Sequence, residues 1–301
     1  MHFFIFMSVI FEHHVKFNSA TDEGEVTAFL FLYQSIESSH HNLSKAQVKQ
    51  AISKGALWLT RKKHTQRLRR LKRTLQQHDE LHFYYNEAVL ANEVNDATLV
   101  SDEGDYSVWY KPYGMLSQGS KWSDHGTISR FVQLNLIPER PVFIVHRLDR
   151  AATGLILLAH SKKAARALSS MFENRTKDNN ELSKHYHIIV HGDHRINEQP
   201  QVITADVDGK NARSTFTCLA YNKMKNQSLV EVKIDSGRKH QIRIHAASIG
   251  LPVVGDRLHG IADNTEECNL QLCAVRLQFI CPLTNTSKQF DLADELKPNL
   301  F

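Results

Sequence analysis

Three segments between Lys184 and Gly237 alternate polar and apolar residues: KHYHIIVHG, STFTCLAY and LVEVKIDSG. A period of two puts alternate side chains on opposite faces of a strand, so each segment predicts a half-buried strand. Strands outnumber helices along the chain, and tight polar turns separate several of them. The expected fold is α+β, built on a large, mostly antiparallel mixed sheet rather than a doubly wound parallel one. With 301 residues the chain holds one large or two medium domains with ample core. No internal repeat or low-complexity tract interrupts it.

The N-terminal part reads differently. In LSKAQVKQAISKG, Ser44 stands as an N-cap and Gly55 as the glycine after the helix, with Ala46, Val48, Ala51 and Ile52 as an apolar stripe. ALWLT and DELHFYY follow as strands. Between them runs RKKHTQRLRRLKR, in which eight of thirteen residues are Lys or Arg and none is acidic. A solvated helix face normally intersperses acids as partners, so Arg61, Lys62, Lys63, Arg67, Arg69, Arg70, Lys72 and Arg73 are expected to contact nucleic-acid phosphates. The expected division is an extension over 1–24, a small basic α+β nucleic-acid-binding module over 25–90, a polar and acidic linker over 91–105, and a larger domain over 106–301.

Cys218, Cys268, Cys273 and Cys281 form no C-x-x-C pair, and the histidines show no metal-ligand spacing, so no metal site and a reduced, cytoplasmic protein are expected. The opening MHFFIFMSVIF is too short to span a bilayer and lacks a basic leader, and Met7 is an alternative start.

Two stretches carry chemistry. In IVHRLDRAATGLILLA, Asp149 is a lone carboxylate among His146, Arg147 and Arg150, on the hinge between two apolar runs. Such a carboxylate should be ionised, oriented and partly desolvated, which suits a nucleophile or base; a surface turn is the alternative. In DSGRKHQIRIHAASIGLPVVGD, Arg238, Lys239, His240, Gln241, Arg243 and His245 crowd together, and Arg243 lies between Ile242 and Ile244. A buried guanidinium needs an anion, and Asp149 is available; a phosphate-binding turn is the alternative.

KPYGML, HRLDRAATGL, KHYHIIVHG, SGRKHQIRIHAASIGLPVVGD and LCAVRLQFICP, in that order, resemble the motifs of the RluA-type pseudouridine synthases over roughly residues 105–285. One departure is Ala152-Thr153-Gly154, where that family has Thr-Ser-Gly. The basic module resembles the S-four-type RNA-binding domain, with His78-Asp79 where that family has Gly-Asp. The resemblance implies an isomerase that detaches uracil from ribose, rotates it and rejoins it through carbon, with no cofactor. By the same resemblance Asp149 is the essential aspartate, as nucleophile or base. Tyr186 stacks on a flipped base, and Arg243 pairs with Asp149. Arg147 is expected to face RNA. His146, Lys184, Arg238, Lys239, His240 and Gln241 are further RNA-contact candidates. The expected partner is rRNA or tRNA, with no membrane or metal, and the expected state is a monomer. Two rival readings are a catalytically idle RNA-binding or ribosome-assembly protein and a hydrolase using His146 with Asp149; the second lacks a nucleophile motif.

Overall fold

The computed structural model describes residues 8–18, 26–173, 182–196, 199–260 and 268–300. It has two units: Met1–Glu93 with Gln118–Thr127, and Val94–Ser117 with Ile128–Phe301.

In the first unit, β1 (Ile10–Lys16), α1 (Ala28–Ser38), α2 (Lys45–Ser53), β2 (Leu57–Arg61), β3 (His64–Arg67), β4 (Glu80–Asn86) and α3 (Glu87–Ala91) follow in order. The sheet runs β1-β4-β2-β3 and is antiparallel throughout. Leu32, Ile36, Val48 and Ile52 of the helices share one apolar core with Leu57, Leu59, Leu81 and Phe83 of the strands. Helix α2 begins at the expected Ser44, whose hydroxyl accepts from the Gln47 amide while the Gln47 side chain returns to the Ser44 amide. Gly55, at φ +91°, turns the chain from α2 into β2.

Two expected boundaries differ from the structure. Residues 1–24, read as an extension, contribute β1, registered from Ile10 opposite Asn86 to Lys16 opposite Glu80. Its inward Phe11, His13 and Val15 alternate with exposed neighbours, a pattern blurred in sequence by the apolar run before it. Residues 1–7, including the alternative start at Met7, lie outside the described residues. The supposed linker, 91–105, holds strand β5 (Thr98–Asp102), which pairs with β6 (Tyr106–Lys111). The acidic turn residues between these strands, Glu103 to Asp105, close that hairpin and do not join domains.

The second unit continues with α4 (Ile128–Asn135), β7 (Phe143–Ile144), β8 (Thr153–Ala159), α5 (Lys162–Glu173), β9 (Leu182–His191), β10 (Gln201–Ile203), β11 (Ser214–Asn222), β12 (Gln227–Ile234), α6 (Gln241–Ser248), β13 (Leu272–Ile280) and β14 (Ser287–Asp291). Its sheet runs β10-β11-β12-β9-β13-β8-β6-β5, with β14 on β13 and β7 on β8. Among the described residues only the β13–β8 pairing is parallel, so the sheet is mixed and mostly antiparallel, as the alternating segments predict. Strand β8 is apolar on both faces. Ile156 and Leu158 join one core with Trp109, Ile188 and Val232, while Leu155 and Leu157 join another with Val108, Leu168 and Phe279. Ser161 precedes helix α5, and its hydroxyl accepts from the Ala164 amide at 3.0 Å.

One rung crosses six strands of this sheet. Phe216 of β11 stands opposite Val232, Val232 opposite Tyr186, Tyr186 opposite Ala274, Ala274 opposite Gly154, and Gly154 opposite Lys111. Gly154 has φ +105°, and a Cβ there would lie 2.3 Å from the Ala274 carbonyl oxygen. Backbone cannot retreat as a side chain can. Gly154→Ala is therefore expected to destabilise the protein by about 3 kcal/mol. A thermal-unfolding midpoint close to wild type would contradict this.

Candidate active site

Asp149 lies in the 145–152 segment between β7 and β8, and backbone contacts fix that segment at several points. The buried Ser117 hydroxyl donates to the Leu148 carbonyl at 2.7 Å and accepts from the Leu148 amide at 3.0 Å. The Gly114 amide donates to the Arg150 carbonyl at 3.0 Å, and Arg150 Nε returns to the Gly114 carbonyl at 3.2 Å. Leu148 and Ala152 sink into the apolar core that also holds Tyr186 and Ile242. Buried anchors on both sides thus leave the Asp149 side chain 27% exposed.

Lys111, at the end of β6, is fully buried. Its ammonium donates to the carbonyls of Met115 at 2.9 Å, Pro112 at 3.1 Å and Arg150 at 3.4 Å. Burial pulls it down to about 7, against the opposing influence of Asp149 and Cys273. The unfolded lysine keeps its proton to about pH 10.4. Between those two values the unfolded state binds more protons, so stability rises with pH across the window and is flat below it. The unfolding free energy of wild type should climb from about pH 7 to pH 10 relative to Lys111→Met; parallel curves in urea titrations would contradict this.

Arg243 sits on α6. The Ile242-Arg243-Ile244 segment is helical: Gln241, Ile242, Arg243, His245 and Ala246 are all buried, leaving little polar face to read in sequence. The expected pairing with Asp149 is present but secondary. Arg243 Nη1 is 3.7 Å from Asp149 Oδ2, whereas its Nε and Nη2 grip Asp256 side-on at 2.8 and 2.5 Å. Asp256 is 2% exposed and also accepts from the amides of Leu258 and His259 at 2.9 and 3.0 Å. Burial alone raises its pKa, but the guanidinium and the two amides outweigh burial and hold it below the ordinary carboxylate range. Burial likewise disfavours the Arg243 cation, and Asp256, then Asp149, more than restore it. The guanidinium is thus a fixed cation presented to Asp149.

Tyr186 is buried on β9, on the rung that ends at Gly154 and Lys111. Strand pairing sends the side chains of such a rung to one face, the face carrying Leu148 and Ile242. Tyr186 and the Asp149 segment therefore border the same core.

The RNA-contact candidates divide. Arg147 and Lys239 are exposed. Lys184 stacks its ammonium over Phe172 at 4.4 Å, and Arg238 donates to the Asn211 carbonyl at 3.2 Å. Two candidates have internal roles instead. His146 Nε2 accepts from the Leu157 amide at 3.0 Å and its ring stacks on Phe172. Gln241 is buried, accepting from Ser236 and the Arg238 amide and donating to the Arg213 carbonyl and Ser214. His240 turns towards Asp149, with Nε2 3.8 Å from Oδ2.

In the first unit three cations of the basic run are engaged internally. Arg61 grips the buried Asp79 at 2.9 and 2.7 Å, and Arg67 and Arg69 both pair with Asp124. His78 adopts φ +66°, the left-handed conformation that suits glycine at that position. Lys62, Lys63, Arg70 and Lys72 are exposed and Arg73 is half-buried. Arg61, Arg70, Lys72 and Arg73 line a cavity of about 640 Å³.

Lys111, Asp256 and His259 carry no assigned role in the sequence reading. The first shows there only as a charge closing an apolar strand, the second as a lone acid after VVG.

The pattern of the RNA pseudouridylate synthase family matches residues 105–248, which contain Lys111, Asp149, Tyr186 and Arg243. Residues 105–248 of this chain are thus similar to the RNA pseudouridylate synthases. Ribosomal large subunit pseudouridine synthase D of Zymomonas mobilis is 29% identical over 169 residues, 49% of this chain and 51% of that protein. tRNA pseudouridine synthase C of Pectobacterium carotovorum is 35% identical over 141 residues, 40% of this chain and 36% of that protein. The chain spans about half the length of the first relative and about a third of the second. Among solved structures, human RNA pseudouridylate synthase domain containing 1 superposes with a TM-score of 0.57 at 20% identity, covering 69% of this chain and 87% of that one. That likeness concerns the pseudouridine synthase fold. No helix among the described residues is long and apolar enough to cross a membrane.

Proposed function

We propose that this protein isomerises a uridine in ribosomal or transfer RNA to pseudouridine in the cytoplasm. The N1–C1′ bond breaks, a C5–C1′ bond forms, one proton leaves C5 and one is taken up at N1. One observation carries the reading: a partly exposed carboxylate, Asp149, faces a guanidinium that a second, buried carboxylate already holds in place. Asp149 acts as nucleophile or base at the nucleoside. Arg243 fixes its charge and direction, and the low-dielectric surroundings strengthen that interaction. Cleavage of the glycosidic bond develops positive charge at the sugar carbon, which a carboxylate stabilises. One carboxylate suffices, because the same base is re-added and water is not the acceptor. Tyr186 stacks on the extruded base, whose removal from its neighbours costs a few kcal/mol.

The names of the two relatives, one a ribosomal large-subunit enzyme and one a tRNA enzyme, support a structured RNA as substrate. Arg147 and Lys239 then contact RNA beside the target. The exposed Lys62, Lys63, Arg70 and Lys72, the last two of which line the cavity, hold other phosphates of the same RNA. Incubation with total RNA carrying tritium at uridine C5, taken from cells lacking this protein, tests the reading. Tritium release to water is expected; no release from that RNA would overturn the reaction.

A further inference from the structure

His240 and His259 form a pair beside Asp149 that the isomerase reading leaves unused. His240 Nδ1 lies 3.0 Å from His259 Nε2, and its other nitrogen, Nε2, lies 3.8 Å from Asp149 Oδ2. Both rings are only partly exposed. His240 opens α6 yet makes no side-chain cap bond, and it holds φ +56°, a left-handed conformation that strains a residue with a Cβ. The imidazole makes its contact with His259 instead.

A nitrogen-to-nitrogen hydrogen bond contains one proton, and its position decides what Asp149 meets. Were His240 the donor, a neutral ring would turn its bare Nε2 lone pair to the carboxylate, which repels it. With His259 as donor, His240 carries its proton on Nε2, and an N–H dipole faces Asp149 opposite the Arg243 guanidinium. The field of the carboxylate thus selects the second arrangement. At 3.8 Å the contact is electrostatic, and a closure of about 0.8 Å makes it a hydrogen bond. The surroundings of His240 favour its neutral ring. Burial lowers the His240 pKa; Asp149 opposes that effect, and Arg243, His259 and Lys239 add to it. The His259 amide donates to Asp256 Oδ1, the carboxylate that also grips Arg243. One buried acid therefore anchors both supports of the other acid.

We propose that His259 is a positioning residue that acts through His240: by donating Nε2–H to His240 Nδ1 it fixes the tautomer whose Nε2–H orients the Asp149 carboxylate. The role rests on the isomerase reading, and its test has a part that does not. In ring-¹⁵N spectra of the protein alone, His240 should be protonated at Nε2, and His259→Phe should mix its tautomers. Protonation of wild-type His240 at Nδ1 overturns the proposal. In single-turnover tritium release from the same labelled RNA, His259→Phe should lower the maximal rate roughly 10- to 100-fold, with the enzyme concentration for half-maximal rate within about twofold. His259→Gln, whose amide N–H can still donate, should recover most of that loss. Filling space without donating is the merely structural role, so equal rates for the Phe and Gln variants overturn the proposal. Should wild type release no tritium, the reaction fails, and the spectra alone decide the histidine pair.

Discussion

Asp256→Asn is expected to destabilise the protein by about 3–5 kcal/mol, because it leaves the Arg243 cation buried without its partner. Both groups are almost inaccessible, at 2% and 4% exposure, so water cannot replace the lost carboxylate. The amide would keep one acceptor oxygen for the amides of Leu258 and His259, but it cannot hold the guanidinium side-on. Freed from Asp256, Arg243 is expected to swing fully onto Asp149 and neutralise the carboxylate that must stay available. Tritium release should therefore fall even at temperatures where the variant is folded. The pH dependence has a definite sign. Asp256 is held below the ordinary carboxylate range, so its contribution is complete above about pH 4 and fades as acid protonates it. Chemical denaturation at pH 7 and pH 3 measures both effects. A variant within about 1 kcal/mol of wild type at pH 7 would contradict the assignment of Asp256 as the anchor.

Asp149→Asn is expected to lower the single-turnover rate by about 10⁴-fold or more, as removal of a group central to the chemistry does. The substitution preserves shape and removes charge. Stability should change little, since Asp149 is partly exposed and Arg243 retains Asp256. RNA affinity should survive, because the substitution leaves every exposed cation proposed to contact RNA in place. A variant that binds RNA, folds and still releases tritium at the wild-type rate would remove Asp149 from the reaction.

Much of the fold was legible because strands announce themselves by period two. KHYHIIVHG, STFTCLAY and LVEVKIDSG became β9, β11 and β12, neighbours in one sheet. Helix α2 was legible from its caps, since Ser44 and Gly55 act locally. What escaped depended on partners distant in sequence. β1 exists as a strand because β4 lies beside it, and β5 because β6 does. The site follows the same division. Asp149 and Arg243 stand out by unusual charge in apolar surroundings, but the weighting of their contacts does not. Asp256 lies thirteen residues beyond Arg243, and only the fold of α6 and the turn after it brings the two together. The basic run misled in part for a similar reason. Its lack of internal acids hid Asp79 and Asp124, which reach Arg61, Arg67 and Arg69 from other segments. Lys111 gave almost no signal, since a lysine ending a strand is ordinarily solvated.

The central claim, that the Asp149 carboxylate beside Arg243 converts uridine in RNA, is tested most directly by mapping pseudouridine in ribosomal and transfer RNA from cells lacking this protein. The account predicts that at least one position reads as unmodified uridine, that the intact gene restores it, and that Asp149→Asn does not. A complete set of pseudouridines in the deletion strain, or restoration by Asp149→Asn, would contradict it.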